Sequence, residues 1–239
     1  MSIPPRSRSD QNHPEPHPSM RIINNSIFVT VSRGLQVGFT FFILMALARY
    51  LSVELYGEYV FLTTLVISVS SLTYFGLQQA VVREIAKDHA TAPGLLGSGI
   101  EIQFLLFGLL AVGIMVYGLL EGMSPLVLAG LALALAGEFF RVMGLILRSV
   151  FQAFERMGFD PLVMIVFCVS AGVCIAAVIL LDLGFLGVLA AMAVAQALHA
   201  LYAGQILWTR FARPVWVWRW PPLWALLRLS LAIGLGFFL

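Results

Sequence analysis

Past residue 20 the chain alternates between long apolar runs and short polar interruptions. Crossing a bilayer takes about 20 predominantly apolar residues in a helix, and that measure predicts helices at 25 to 48, 58 to 77, 95 to 120, 125 to 147, 161 to 181 and 184 to 208. A seventh begins near Trp224. Pro125 and Pro161 open the fourth and fifth, Gly184 follows a short Asp-Leu-Gly turn, and Pro214, Pro221 and Pro222 interrupt the chain before the last run. Within the spans the polar residues recur at helical spacing. Arg33, Gln36 and Thr40 share one face of the first helix, with Asn25 and Ser26 about two turns earlier.

Composition sets the solvent. A chain that is 60% apolar and 11% charged, with a mean hydropathy of +0.95, lies outside the range of soluble domains. The runs are about twice the length of an outer-membrane barrel strand and lack its alternation. In hydrocarbon a free amide or carbonyl has no partner, so each span must satisfy its own backbone as a helix. The expected fold class is an all-α polytopic membrane protein. Residues 1 to 20 carry five prolines and no apolar core, which predicts a disordered tail rather than a signal peptide. The expected organisation continues with a transmembrane lobe over 21 to 210, a cytoplasmic linker over 211 to 223 and the truncated start of a seventh helix over 224 to 239. That last run stops without a polar flank, which predicts a fragment of a longer protein.

Charge sets orientation. With the N-terminus inside, eleven Lys and Arg residues fall in inner segments and only Arg49 in an outer loop. The tail and the loops at 83 to 92, 148 to 160 and 209 to 222 are therefore expected in the cytoplasm. Cys168 and Cys174 lie six apart on different helix faces and read as packing residues. Asn24-Asn25-Ser26 matches a glycosylation sequon but falls on the inner side. No phosphate-cradling glycine loop, His/Cys metal cluster or outer acidic pair is present, so the protein is not expected to be an enzyme, to hold a cofactor or to bind nucleic acid.

The candidate functional residues are the intramembrane charges. An arginine at a helix centre costs about 2.5 to 3.5 kcal/mol on insertion scales, and such residues face a bundle interior or a watery cavity. Arg33 fits that description, or it snorkels back to the inner interface from roughly 9 Å past Ile27. In the fourth span Glu138 and Arg141 stand at i, i+3, either as an intrahelical pair or as part of a cationic wall facing Arg33. Arg148 on the same face reads as interfacial. Weaker signals are Glu101 and Gln103 in the third span and Gln196 with His199 in the sixth, which fit interhelical contacts.

Three stretches carry a resemblance: NSIFVTVSRGLQ, ALARYLSVELYGEYVF and GLQQAVVREIAKD, with LLRLSLAIGLG further on. In order, spacing and inferred topology they are similar to the opening of polysaccharide-biosynthesis flippases, the Wzx-like branch of the multidrug/oligosaccharidyl-lipid/polysaccharide exporter superfamily. The resemblance implies the N-terminal one of two six-helix lobes around a cavity that opens alternately to the two membrane faces. It implies transport of an undecaprenyl-pyrophosphate-linked oligosaccharide across the bacterial inner membrane, with membrane lipids, a polysaccharide polymerase and glycosyltransferases as partners. Arg33, with Arg141, would then attract the carrier's phosphates, and Gln36, Asn25 and Glu138 would complete the cavity. Two other readings remain open at this point: an ion-coupled drug or toxin exporter of the same superfamily using Glu138, and a non-transporting membrane scaffold.

Overall fold

The computed structural model describes residues 18–74, 76–156, 158–211, 214–215, 224, 226–230 and 232, with the side chains of 18–29, 31 and 32 left out. Seven α-helices run through the described residues: α1 Pro18–Tyr50, α2 Val53–Ser70, α3 Leu77–Lys87, α4 Ala92–Leu120, α5 Pro125–Ala153, α6 Phe159–Leu180 and α7 Gly184–Arg210. A 3₁₀ turn, His89–Thr91, joins α3 to α4. No strand occurs among the described residues. Five of the helices searched are long and apolar enough to cross a membrane. The protein is an all-α polytopic membrane protein.

Six long helices lie where the apolar runs predict them. Each departure has a local cause. Helix α1 begins at Pro18, inside the predicted tail, with a proline in the first turn where its missing N–H costs nothing. Helix α2 starts at Val53 rather than 58, because Ser52 caps it by accepting the Leu55 N–H at 3.3 Å. The same helix ends at Ser70 rather than 77. There the hydroxyls of Ser70, Ser71 and Thr73 donate back to backbone carbonyls, and Gly76 turns the chain at a φ of 71° that favours glycine.

That break creates α3, which apolar run length alone had folded into span and loop. Leu77, Ala80, Val81 and Ile85 form its buried stripe, while Arg83 and Lys87 face outward. It packs on α4 and α5. The segment expected as an inner loop from 83 is thus largely an amphipathic helix. Of the predicted tail, residues 1–17 lie outside the described residues. So do most of the predicted linker and of the seventh helix, whose described residues 224, 226–230 and 232 are helical, with Leu226 and Ser230 buried.

Helix α5 is the hub. It contacts α2, α3, α4 and α7, and α6 with α1 completes the bundle beyond α7. Gly130, Gly137 and Gly144 recur every seven residues along the α5 face that meets α7. A Cβ on Gly137 would come within 3.2 Å of the Ala193 Cα. Backbones approach that closely only where side chains are absent, and in a membrane such close packing replaces the hydrophobic drive that lipid removes. At the opposite end from α3, Tyr50 donates its hydroxyl to Asp182 at 3.0 Å and accepts the Gly184 N–H at 2.8 Å. This ties the end of α1 to the α6–α7 turn, where Asp182 and Gly184 both take positive φ.

Candidate functional site

A cavity of about 290 Å³ opens in the half of the bundle that carries α3, the α5–α6 connection and the C-terminal half of α7. Five helices line it. Helix α1 contributes Arg33 and Gln36, α3 contributes Gln78, α5 contributes Arg141, Arg148 and Gln152, α6 contributes Asp160, and α7 contributes Gln196 and His199. Helical periodicity explains the selection: Arg141, Arg148 and Gln152 fall on one α5 face at i, i+7 and i+11. The structure therefore brings Arg33, Gln36 and Arg141 together. The side chain of Asn25 lies outside the described residues.

Glu138 stands behind the cavity wall rather than in it. Its side chain is 5% exposed, and it accepts two bonds from Arg141, from Nε and from Nη2, both 2.6 Å long. Ser70 of α2 donates a further short hydrogen bond to it. The Arg141 guanidinium also lies 5.6 Å from the centre of the Tyr74 ring. So the two residues form the intrahelical pair, and Arg141 is neutralised where the alternative wall would have left it free.

Arg148 departs from its interfacial reading. Its side chain is only 14% exposed and makes a bidentate pair with Asp160 of α6, with both bonds 2.7 Å long. Sequence spacing cannot show this, because the carboxylate comes from another helix twelve residues on. Bidentate guanidinium–carboxylate pairs are among the stronger charge-assisted contacts. Arg33 differs from both. It is exposed toward the cavity, and among the described residues it has no acidic partner. Among the described residues, the cavity's arginines thus reduce to one without a carboxylate partner, Arg33 on α1.

The remaining polar lining is neutral. Gln36, Gln78, Gln152 and Gln196 each come from a different helix, and their carboxamides make no hydrogen bond among the described residues. His199 is 3% exposed, and neither ring nitrogen has a hydrogen-bond partner among the described residues. A buried polar group left unpaired costs about 1–3 kcal/mol. The imidazole packs edge-on to Phe167, with centroids 5.9 Å apart. Gly144 makes its place, since a Cβ there would come within 3.0 Å of the imidazole Cε1 and Nδ1. Glu101 and Gln103, by contrast, are fully buried away from the cavity, and Gln103 donates to Thr73 at 2.7 Å across α4 and the α2–α3 turn. No group of three or more His, Cys, Asp or Glu side chains suited to a metal occurs among the described residues.

The fold is similar to that of two solved transporters of the MOP superfamily. One, from Pyrococcus furiosus Vc1 (DSM3638), is described as having a binding pocket of reverse polarity that suggests a different function, and it aligns at 16% identity with a TM-score of 0.71. The other is an outward-facing multidrug resistance MATE family transporter, at 16% identity and a TM-score of 0.72. Each alignment covers 90% of this chain and 52% of the other, so the chain spans about half the length of the transporters it matches. No curated protein matches the sequence. The family model described as polysaccharide biosynthesis protein matches residues 22–233, which takes in all seven helices but the first turn of α1, and the chain belongs to that family.

Proposed function

We propose that the chain forms one lobe of a flippase that moves an undecaprenyl-pyrophosphate-linked oligosaccharide from the cytoplasmic to the outer leaflet of a bacterial inner membrane. The carrying observation is Arg33: a cation inside a membrane bundle, open to a cavity whose other two arginines are each held by a carboxylate. An intramembrane arginine with no acidic partner among the described residues is matched to an anion that arrives and leaves. A pyrophosphate suits it, because a planar guanidinium binds two phosphate oxygens at once and each hydrogen bond to a charged group contributes about 1.5–3 kcal/mol. The isoprenoid tail stays in lipid while the head group enters the cavity.

In this reading the N-terminus and α3 face the cytoplasm, so the cavity half of the bundle is where loaded carrier enters. Arg83 and Lys87 on the outer face of α3 meet anionic lipid head groups there. A polysaccharide polymerase and the pathway's glycosyltransferases are the protein partners. A multidrug transporter has the same fold at equal similarity, which favours an ion-coupled drug exporter as the second reading. Glu138 would be its coupling carboxylate. Against that role, both Glu138 oxygens are already engaged by Arg141, and one also by Ser70.

Surface-glycan export and drug susceptibility, measured in cells carrying Arg33→Ala at normal membrane abundance, separate the two. Loss of export with unchanged drug tolerance supports the flippase. Normal export in Arg33→Ala, with drug tolerance lost in Glu138→Gln, supports the exporter.

A further inference from the structure

Helix α7 packs on α5 and α6 and has two further faces. One lines the cavity through Gln196 and His199. On the other, Val194, Leu198, Leu201, Gln205 and Trp208 are all exposed, at spacings of four, three, four and three residues. That is the 3.5-residue repeat along which two helices pack as a left-handed seam. Apolar exposure is ordinary in lipid, so four of the five residues are at home there. Gln205 is not. Its carboxamide makes no hydrogen bond among the described residues. Tryptophan settles at the membrane interface, and Gln205 stands one turn nearer the bilayer centre than Trp208, about 4.5 Å at 1.5 Å per residue. Hydrocarbon offers a carboxamide neither donor nor acceptor, and a glutamine so placed finds its partner on another helix.

We infer that this face of α7 is the interface between two copies of the chain. Both copies insert with the same orientation, so a symmetric pair has its two-fold axis along the membrane normal, and each seam residue meets its own counterpart. A carboxamide carries two N–H donors and a carbonyl acceptor. Gln205 therefore pairs with Gln205 reciprocally, each N–H donating to the other's carbonyl, where a lysine or glutamate would repel its own copy. Leu198 and Leu201 close the seam on the hydrocarbon side of that pair, and the single polar position fixes the register. Gln196 and His199 project from the other side of the helix, so the second copy leaves the cavity open. The pairing is independent of what the cavity carries.

The test uses the full chain with Cys168→Ala and Cys174→Ala, so that an introduced thiol reports alone. On mild oxidation of native membranes, Leu201→Cys in the seam should give a disulfide-linked dimer. Val173→Cys on α6 should not, although the two positions are almost equally exposed, at 67% and 64%. The dimer fraction is then followed in liposomes by single-molecule photobleaching as the protein-to-lipid ratio falls. Gln205→Leu should weaken dimerisation about tenfold, the effect of losing two interhelical hydrogen bonds in a membrane. Gln205→Asn, which keeps the carboxamide on a shorter stem, should retain part of the affinity and separates loss of the hydrogen bonds from loss of the fold. A chain that stays monomeric at every ratio overturns the inference. So does crosslinking at Val173 in place of Leu201, or a Gln205→Leu protein that dimerises as tightly as the unaltered one.

Discussion

Replacing Glu138 with alanine should destabilise the bundle more than removing the whole ion pair. The wild-type carboxylate is 5% exposed and holds both Arg141 nitrogens at 2.6 Å. Breaking a buried pair by deleting one partner costs about 3–5 kcal/mol, because the surviving charge is left in a poor solvent. Arg141 is 25% exposed where it lines the cavity, so solvent recovers part of that, and about 2–4 kcal/mol is expected. Glu138→Ala combined with Arg141→Met removes both charges and should return to within about 1 kcal/mol of wild type. For a chain of this length, 1 kcal/mol shifts a melting midpoint by roughly 2–4 °C. Melting in matched nanodiscs should therefore show Glu138→Ala about 4–16 °C below wild type and the double variant well above the single. A double variant as unstable as the single would show that the stranded Arg141 charge is not what destabilises Glu138→Ala. Melting of Glu138→Ala within about 2 °C of wild type would mean that Arg141 is solvated without its partner.

Three shorter expectations test the frame around the cavity. Gly137→Ala should cost about 1–3 kcal/mol, since its Cβ would press on the Ala193 backbone, whereas Gly108→Ala, with nothing within 4 Å, should melt within about 0.5 kcal/mol of wild type; equal melting of the two would remove the glycine stripe as the reason α5 and α7 pack closely. Tyr50→Phe should lower stability by about 1–2 kcal/mol through loss of its bonds to Asp182 and Gly184, and an unchanged melting point would show that this end of the bundle is held otherwise. Single cysteines at Ser52 and Ser124 should react with an impermeant maleimide in intact cells, and one at Ala90 should not; the reverse pattern would invert the bundle in the membrane.

The long helices were legible because lipid leaves the backbone a single solution, so run length and proline position sufficed for six of them. Helix α3 was not. Its apolar positions continue the run before it, and the break depends on hydroxyl back-bonding at Ser70, Ser71 and Thr73 and on Gly76, each of which also occurs inside intact helices. The periodicity of Leu77, Ala80, Val81 and Ile85 was the available signal.

For the site, i, i+3 spacing on one helix revealed Glu138 with Arg141. The partner of Arg148 is on another helix, and one-dimensional spacing carries no information about it. Gln196 and His199 were visible as a polar pair, but their convergence with Gln78 and Gln152 on a single cavity is a property of helix packing. The seven-residue repeat of Gly130, Gly137 and Gly144 was present in the sequence and, with α7 as its partner, explains how His199 finds room.

The proposal to test is that Arg33, which has no acidic partner among the described residues, serves an anionic lipid carrier. Its most direct test is binding of undecaprenyl pyrophosphate, set against the uncharged alcohol undecaprenol, to the purified protein with Arg33, Arg33→Lys and Arg33→Ala. The wild type should prefer the pyrophosphate by at least tenfold. Lysine should keep part of this preference, having charge without the planar fork, and alanine should abolish it. An Arg33→Ala protein that still prefers the pyrophosphate as strongly as wild type would show that Arg33 does not bind the carrier's phosphates.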